Sequence, residues 1–413
     1  MDLLRFFTAG NVDDGKSTLI GRLLYDSNSI STDIVETLTQ QSKAKGKHAE
    51  IDLALLTDGL RAEREQGITI DVAYKFFTTE KRKYIIADTP GHAQYTRNMF
   101  TGASTAELAI ILVDARNGIT EQTKRHSVIC STLGIPRVLV CINKMDLVDF
   151  SEKRFNEIQE DYLEFAQNIN LNQLDFIPVS ALNGDNVVLK SENLSWYNGE
   201  TLFNYLETVP IHTQENLYSR FKVQYVIRPQ TDELHDYRGY AGALISGKLS
   251  KGQEVKIIPS GQRSKIAKIE FNQHEIETVE KDQAAIIHLE NDIDLSRGAT
   301  IVPVEDETES VKEFSATICW MDNRPFQGHE TFLFQQQSFR TKAKVKQVNS
   351  KIDIQNFEKK EWDGSLQLNE LVEVDLKLAD EVLKDSFSTH FSSGSFILIN
   401  EATNQTVAGG TIN

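Results

Sequence analysis

Cysteine is scarce in this sequence: Cys130, Cys141 and Cys319 are the three among 413 residues. They show no C-x-x-C spacing, and no histidine lies at metal-ligand distance from them. The pattern argues against a zinc-finger site and against a small secreted fold held together by disulfides. We expect buried, reduced thiols, as in a cytoplasmic protein.

Long apolar runs are also missing. The longest, Leu108–Val113, is far shorter than the stretch of about 20 residues that crosses a bilayer, and it is typical of a buried strand. Met1 leads directly into an apolar, strand-like segment, which leaves no room for a signal peptide. We therefore expect no membrane partner and a cytoplasmic location.

Basic residues are outnumbered, with 44 Lys and Arg against 60 Asp and Glu and a net charge of −16. A large nucleic-acid footprint is disfavoured, because neutralising phosphates requires clustered cations. A local basic patch stays open. The run 340–346 places basic residues at alternate positions along a strand-like segment, which fits either a solvated strand face or a patch for a partner or RNA. Its basic members are Arg340, Lys342, Lys344 and Lys346.

A phosphate-binding loop stands near the start of the chain, where residues 10–17 match G-x-x-x-x-G-K-[ST]. In this pattern backbone N–H groups wrap the α- and β-phosphates, Lys16 reaches the β- and γ-phosphates, and the Ser17 hydroxyl ligates Mg²⁺. Strand-like Leu3–Thr8 precedes the loop and a helix-like segment follows it. The sequence predicts a bound nucleoside triphosphate held by Gly10, Asn11, Val12, Asp13, Asp14, Gly15, Lys16, Ser17 and Thr18.

A second phosphate-sensing segment, Asp88-Thr89-Pro90-Gly91-His92, follows the strand-like run Tyr84–Ala87. A carboxylate at a strand end can hold Mg²⁺ through water, and the Gly91 N–H can meet the γ-phosphate. We therefore predict that residues 88–92 contact the nucleotide and that Asp88 belongs to the Mg²⁺ site.

Two further segments indicate guanine. Asn143-Lys144-Met145-Asp146 follows the strand-like Val138–Ile142, and Ser180-Ala181-Leu182 ends the next strand-like run. The Asp146 carboxylate can accept hydrogen bonds from guanine N1–H and the 2-amino group, which adenine does not offer, while Asn143 braces the loops. A backbone N–H of residues 180–182 can donate to guanine O6. Four motifs in this order, each after a strand, predict GTP.

The order of strand-like and helix-like segments predicts an α/β P-loop GTPase domain followed by two all-β barrel domains. Apolar strands alternate with helical stretches such as Gln122–Leu133 up to a polar linker, and short alternating runs punctuated by Gly follow. An acidic connector, 305–309, separates two such regions. The predicted boundaries are 1–212, 217–305 and 310–413.

With Glu63–Ile70 added to these motifs, the chain resembles the translational GTPase superfamily, typified by elongation factor Tu, over its whole length. The resemblance implies that Thr69 closes over Mg²⁺ and the γ-phosphate and that His92 positions the attacking water. Catalysis would then rest on Lys16, Thr69 and His92, and metal binding on Ser17, Thr69 and Asp88. Asp13 matches a residue that helps hold a monovalent cation in this superfamily; the alternative is a turn-stabilising role.

Segments 58–74, 84–99 and 102–106 resemble one branch, the GTP-hydrolysing large subunits of sulfate adenylyltransferase. Asp14 also matches this branch, since elongation factor Tu carries His there. The resemblance implies a heterodimer or a larger complex in which a smaller ATP-binding subunit makes adenosine 5′-phosphosulfate and pyrophosphate from ATP and sulfate, driven by GTP hydrolysis on this chain. An elongation factor 1A/Tu-like carrier of aminoacyl-tRNA and a regulatory switch are the alternatives.

Overall fold

The computed structural model describes residues 2–27, 29–30, 53, 71–92, 96–103, 105–167, 169, 171, 173–211, 218–229, 237–328, 330–353 and 358–413. The chain divides into two compact units, Met1–His212 with Asp353–Glu358, and Thr213–Ile352 with Lys359–Asn413. Within the described ranges, no helix is long and apolar enough to cross a membrane. The second unit holds both all-β regions, so the division into three domains stays a prediction.

The first unit is an α/β layer structure. Its strands are β1 (Asp2–Ala9), β2 (Ala73–Thr78), β3 (Arg82–Asp88), β4 (Leu108–Asp114), β5 (Arg137–Asn143) and β6 (Leu174–Pro178). Its helices are α1 (Lys16–Asp26), α2 (Thr96–Ala103), α3 (Glu121–Thr132), α4 (Glu152–Ala166) and α5 (Leu202–Thr208), with 3-10 turns at Met145–Val148 and Glu192–Leu194. The predicted α/β class is confirmed.

The strands form one sheet in the order β2-β3-β1-β4-β5-β6, in which only the β2–β3 pair is antiparallel. Every residue of β4 is buried, as its continuous apolar sequence predicts for a central parallel strand. The carboxyl ends of β1, β3, β4, β5 and β6 therefore meet at one edge. All the predicted nucleotide motifs follow these ends, so the sheet brings them together.

Helix boundaries follow local capping. Helix α3 begins after Thr120, whose side chain accepts a hydrogen bond from the Thr123 N–H in a capping box. The Ser151 side chain caps α4 with a single hydrogen bond accepted from the Arg154 N–H. The observed bounds of α3 lie one residue from those of the predicted helix Gln122–Leu133 at each end.

The second unit is all β apart from one short helix, α6 (Phe391–Gly394), within the part of the chain that the structure describes. The strands of its first region are β7 (Arg220–Ile227), β8 (Gly239–Ser246), β9 (Lys248–Ser250), β10 (Glu254–Ile258), β11 (Arg263–Phe271), β12 (His274–Ile276), β13 (Thr278–Glu280), β14 (Ala284–Leu289) and β15 (Thr300–Pro303). Those of its second region are β16 (Ser310–Trp320), β17 (Thr331–Gln336), β18 (Phe339–Ile352), β19 (Lys359–Lys360), β20 (Leu371–Leu383), β21 (Ser395–Ile399) and β22 (Thr406–Ile412).

Each region closes into a six-stranded barrel. The first runs β10-β15-β7-β8-β14-β11 and closes through β10–β11; the second runs β17-β21-β22-β16-β20-β18 and closes through β17–β18. Each barrel encloses its own buried apolar cluster. The two predicted barrels are confirmed.

A buried ionic cluster joins the two barrels. Arg220 of β7 is fully buried and donates to both carboxylate oxygens of Asp385, with Nε···Oδ2 at 3.0 Å and Nη2···Oδ1 at 2.9 Å, and also to Asp306. Burial alone would raise the pKa of Asp385, but the hydrogen bonds and charge of Arg220 lower it. Asp306 lies in the segment predicted to be a simple acidic connector. That description is incomplete, because its carboxylate is buried and paired.

Candidate nucleotide-binding site

The phosphate loop leaves β1 after Ala9 and enters α1 at Lys16. Gly15 caps the helix with φ +94°, and a Cβ at this position would lie 2.5 Å from Asn143 Nδ2. Both the left-handed backbone and the close approach require glycine. The loop is therefore built against the neighbouring β5 loop as well as on its own turn.

Lys16 is buried inside the loop, with 7% of its surface exposed. Its ammonium donates to Gly10 O at 2.9 Å and to Asn11 O at 3.0 Å. Burial lowers the pKa of Lys16, and the charges of Asp88, Asp14 and Asp13 oppose that shift. The side chain is thus held by the carbonyls of the loop at the start of α1, where the helix dipole also favours an anion.

The end of β3 packs directly on this loop. The Thr8 hydroxyl donates to Asp88 Oδ1 at 3.1 Å, and the Thr89 hydroxyl donates to Thr8 O at 2.6 Å. A Cβ on Gly91 would lie 2.5 Å from the backbone Gly10 O as well as 2.5 Å from Lys16 Nζ, so glycine lets residues 88–92 approach the loop this closely. The next residue, His92, is exposed. Of the predicted catalytic residues, Lys16 therefore lies within the loop, and His92 directly follows Gly91, which packs on it.

The donors present fit Mg²⁺, which takes few protein oxygens and completes its shell with phosphate and water. The Asp88 carboxylate is 1% exposed at the end of β3, and the Ser17 hydroxyl lies in the first turn of α1. Among the described residues, no group of three or more His, Cys, Asp or Glu could hold a metal by itself. The third predicted ligand, Thr69, lies outside the described residues.

Asp14 places a carboxylate within the phosphate loop. Its Oδ2 accepts the Asn11 N–H at 2.6 Å, and the residue is 3% exposed. Burial raises the pKa of Asp14 to about 6, against the lowering effects of the Asn11 N–H and of Lys16. Its neighbour Asp13 is exposed, with φ +69°, and its backbone carbonyl accepts a hydrogen bond from Lys144 Nζ at 2.5 Å.

Asn143 connects the phosphate loop to the base loop. Its Nδ2 donates to Asp14 O at 2.7 Å, and its Oδ1 accepts the Ala181 N–H at 2.9 Å. The residue is 1% exposed at the end of β5. Three segments that are far apart in the sequence are therefore joined through one amide side chain.

The remaining residues of the predicted guanine loops differ in burial: Lys144 and Asp146 are half-buried and Leu182 is exposed, whereas Met145, Ser180 and Ala181 are buried. Lys144 pairs with Asp114 Oδ2 at 2.9 Å, and Asp146 is the second residue of the 3-10 turn Met145–Val148 that follows. Ser180 N–H donates to Asp185 O, while Ala181 N–H is taken by Asn143. Of the amides of residues 180–182, that of Leu182 is the one with no acceptor among the described residues.

Three site residues were missed by the sequence analysis. Asp114, at the end of β4, accepts hydrogen bonds from the side chains of Arg116 and Lys144. Burial would raise the pKa of Asp114, but these two cations lower it to about 2. Arg22 of α1 donates to Ala181 O at 3.2 Å and to Leu182 O. His126 of α3 is buried, and burial, with the charge of Lys16 adding to it, lowers the pKa of His126 to about 3. Only Asp114 carried a sequence signal, as an acid directly after an apolar strand.

The family comparisons agree with this geometry. The elongation factor Tu GTP binding domain family matches residues 1–220, and the GTP-eEF1A C-terminal domain-like family matches residues 313–413. The Ski7 GTPase-like domain of S. cerevisiae, solved with GDP and inorganic phosphate, superposes with a TM-score of 0.55 at 17% identity, covering 100% of this chain and 97% of that chain. This last likeness shows the fold alone.

Curated relatives are more specific. Sulfate adenylyltransferase subunit 1 of Alteromonas mediterranea is 48% identical, over 100% of this chain and 87% of the relative. The protein of the same name from Bacteroides thetaiotaomicron is 47% identical, over 100% and 86%. The bifunctional enzyme CysN/CysC of Mycobacterium tuberculosis is 46% identical, over 99% of this chain and 67% of the relative. The chain therefore belongs to the elongation factor Tu-type GTPases and, within them, to the family of sulfate adenylyltransferase subunit 1.

Proposed function

We propose that this chain binds GTP with Mg²⁺ and hydrolyses it to drive the synthesis of adenosine 5′-phosphosulfate and pyrophosphate from ATP and sulfate. Adenylyl transfer takes place on a smaller ATP-binding subunit, with which the chain forms a heterodimer in the cytoplasm. The names of the relatives and the order of the motifs support this function. The observation that carries it is Asn143, which hydrogen-bonds both to the phosphate loop and to the loop expected to bind guanine.

Each residue has a distinct role in this proposal. The backbone amides of residues 10–18 and the Lys16 ammonium hold the phosphates. Ser17, Thr69 and Asp88 would hold Mg²⁺, which would supply charge neutralisation at the phosphates. Gly91 N–H donates to the γ-phosphate. His92, exposed directly after Gly91, orients the attacking water.

Base selection rests on the β5 and β6 loops. The Asp146 carboxylate accepts guanine N1–H and the 2-amino group, and the stem of Lys144 lies over the base. The Leu182 N–H donates to O6. Adenine would leave these groups unpaired, which supports strong discrimination in favour of GTP. The carboxylate of Asp13 would hold a monovalent cation beside the phosphates, since its carbonyl already accepts Lys144.

Coupling follows from the same contacts. The γ-phosphate holds Thr69 and Gly91 in place, and its loss on hydrolysis releases the two segments that carry them. Because Gly91 packs against Lys16, a change at the phosphates reaches residues 88–92 without an intermediary. A subunit that contacts either segment would sense which nucleotide is bound.

A change of base specificity tests the proposal. Xanthine carries an oxygen, O2, where guanine carries its 2-amino group. In Asp146→Asn the side-chain amide N–H can donate to this oxygen, so the variant is expected to bind xanthine. We expect the variant to bind GTP about 10³-fold more weakly, because two hydrogen bonds to a charged group are lost, and to accept XTP instead. In the complex with the smaller subunit, adenosine 5′-phosphosulfate formation by the variant should follow XTP and not GTP.

The wild-type complex with GTP or XTP is the matched control. A rate of adenosine 5′-phosphosulfate formation that depends on neither GTP nor XTP, in wild type and in the variant, would contradict the proposal. Stimulation of GTP hydrolysis by ribosomes, with none by the smaller subunit plus ATP and sulfate, would support the aminoacyl-tRNA carrier in its place.

A further inference from the structure

One face of the second barrel carries a row of cations. Along β18 the side chains of Arg340, Lys342, Lys344 and Lys346 are exposed, while the intervening Thr341, Ala343 and Val345 are buried. The alternation is that of a strand with one face in the barrel and the other in solvent. The basic run is therefore an outward-facing row on an otherwise acidic chain.

The neighbouring strand extends this row. Lys344 lies directly opposite Lys377 of the antiparallel strand β20, an arrangement of like charges that is destabilising. We call the surface formed by Arg340, Lys342, Lys344, Lys346 and Lys377 the basic face. Such a placement costs stability and contributes nothing to the barrel core, so its explanation lies outside the barrel.

Internal carboxylates neutralise the basic face only in part. Glu313 pairs with Lys346 at 2.7 Å and with Lys377 at 3.0 Å, and Glu401 pairs with Lys342 at 3.0 Å. Asp375 adds a weaker attraction to Lys346. In the described part of the chain no ion pair is formed by Lys344, and the Arg340 guanidinium donates to the neutral amide of Gln335. Arg340 and Lys344, which flank the paired Lys342 on the outward side of β18, thus carry cations without an acidic partner among the described residues.

Apolar side chains lie beside these cations. Leu333 of β17 is opposite Lys342, and Ile397 of β21 is opposite Gln335; both are half-buried on strands whose adjacent residues fill the core. Charged side chains around partly buried apolar ones resemble the polar rim of a protein–protein interface, and the charge of the basic face is complementary to an acidic protein surface. The net charge of −16 of the chain would repel the phosphates of a nucleic acid, which disfavours RNA or DNA as the partner of this surface.

We propose that the basic face docks an acidic surface of the smaller subunit. The inference rests on the proposed function, because it takes from it the existence of that subunit. Carboxylates of the partner placed against Arg340 and Lys344 supply the missing counter-charges and offset the Lys344–Lys377 repulsion. Complementary charges of this kind mainly raise the association rate and make it salt-dependent.

Charge reversal on the basic face tests the proposal. Arg340→Glu/Lys344→Glu should weaken the Kd for the purified smaller subunit about tenfold or more at low salt, with a smaller difference at about 0.5 M salt, where charges are screened. Lys248→Glu/Lys265→Glu, which reverses two exposed lysines of the first barrel, is the matched control and should leave the Kd within about twofold. Hydrolysis of GTP by the isolated chain should be unchanged in both.

The outcomes separate the two proposals. If the wild-type chain forms no complex with the smaller subunit, the proposed function itself fails. If the complex forms and the reversed variant binds equally well at low salt, the basic face is not the docking surface. The milder Arg340→Gln/Lys344→Gln, with an unchanged urea midpoint, should show a smaller loss of affinity in the same direction. Binding of poly(U) RNA that the reversal abolishes, with the affinity for the subunit intact, would overturn the proposal in favour of nucleic acid.

Discussion

At the scale of single residues, the unusual choice is Asp14, a buried carboxylate in a loop that binds a polyanion. Its own loop accounts for its position, since Oδ2 accepts the Asn11 N–H and so fixes the turn. The cost is electrostatic, because burial keeps the pKa of Asp14 near 6 and phosphate groups would raise it further. Protonation of Asp14 and nucleotide binding should therefore favour each other.

Removing this charge should change the pH dependence of nucleotide affinity. Asp14→Asn keeps an oxygen acceptor for Asn11 but cannot ionise, so we expect it to bind GDP about tenfold more tightly than wild type at pH 8. The advantage should shrink as the pH falls through about 6, where wild-type Asp14 takes up its proton. Titration with a fluorescent GDP analogue between pH 5 and 8 measures the ratio of the dissociation constants of wild type and variant. Ionisation of the nucleotide affects both proteins equally, so it cancels in this ratio.

Asp161→Asn, an exposed position on α4, is the control and should keep the wild-type affinity at every pH. A ratio between Asp14→Asn and wild type that does not vary with pH would show that Asp14 stays ionised, or stays neutral, over the whole range.

At the scale of elements, the buried ionic cluster between the two barrels is built on a single cation. Arg220 of β7 serves Asp306, which follows β15, and Asp385, which follows β20. All three are buried, so neither carboxylate can turn to water if the guanidinium is lost. The barrels are thus joined by an interaction whose failure leaves two uncompensated charges.

Arg220→Met should therefore destabilise the second unit strongly. Removing one member of a buried ionic cluster costs about 3–5 kcal/mol, and the loss should appear as a lower urea midpoint. The exposed Arg263→Met on β11 is the control, with an expected change within about 0.5 kcal/mol. A midpoint for Arg220→Met equal to that of the control would mean that water or a rearranged lysine replaces the guanidinium.

The elements themselves were largely predictable, and the contacts between them were not. The alternation along β18 and the caps of α3 and α4 are local patterns, so they can be found in the sequence. The Thr8–Asp88 hydrogen bond depends on the parallel register of β1 and β3, which no local pattern encodes. For the same reason Asp306 is indistinguishable from its exposed acidic neighbours until Arg220 is placed beside it. The roles of Thr69 and His92 stay predictions from resemblance.

At the scale of the whole molecule, the chain has two units with separate apolar cores. The nucleotide motifs described above all lie in the first. A ligand that binds only the folded state stabilises it, so GDP should raise the free energy of unfolding of the first unit.

We expect two unfolding transitions, of which GDP shifts one. At about 100 times its Kd, GDP adds about 2.7 kcal/mol to the free energy of unfolding of the first unit. Trp196 packs on Phe155 in the first unit, whereas Trp320 and Trp362 lie in the second barrel. Urea titration of Trp320→Phe/Trp362→Phe, which leaves Trp196 as the reporter, should show the shift with GDP and none with ADP.

The complementary variant Trp196→Phe reports on the second barrel and should be insensitive to GDP. If the transitions of both reporters moved together, the two units would unfold as a single cooperative body.

The hydrogen bonds of Asn143 make the two ends of the nucleotide interdependent. One amide joins the backbone of Asp14 to the backbone of Ala181, so the base loop and the phosphate loop cannot shift separately without breaking it. A factor that accelerates nucleotide exchange would not need to prise open the whole site. Displacing the loop that follows β5 would weaken the contacts with the base and with the phosphates at the same time.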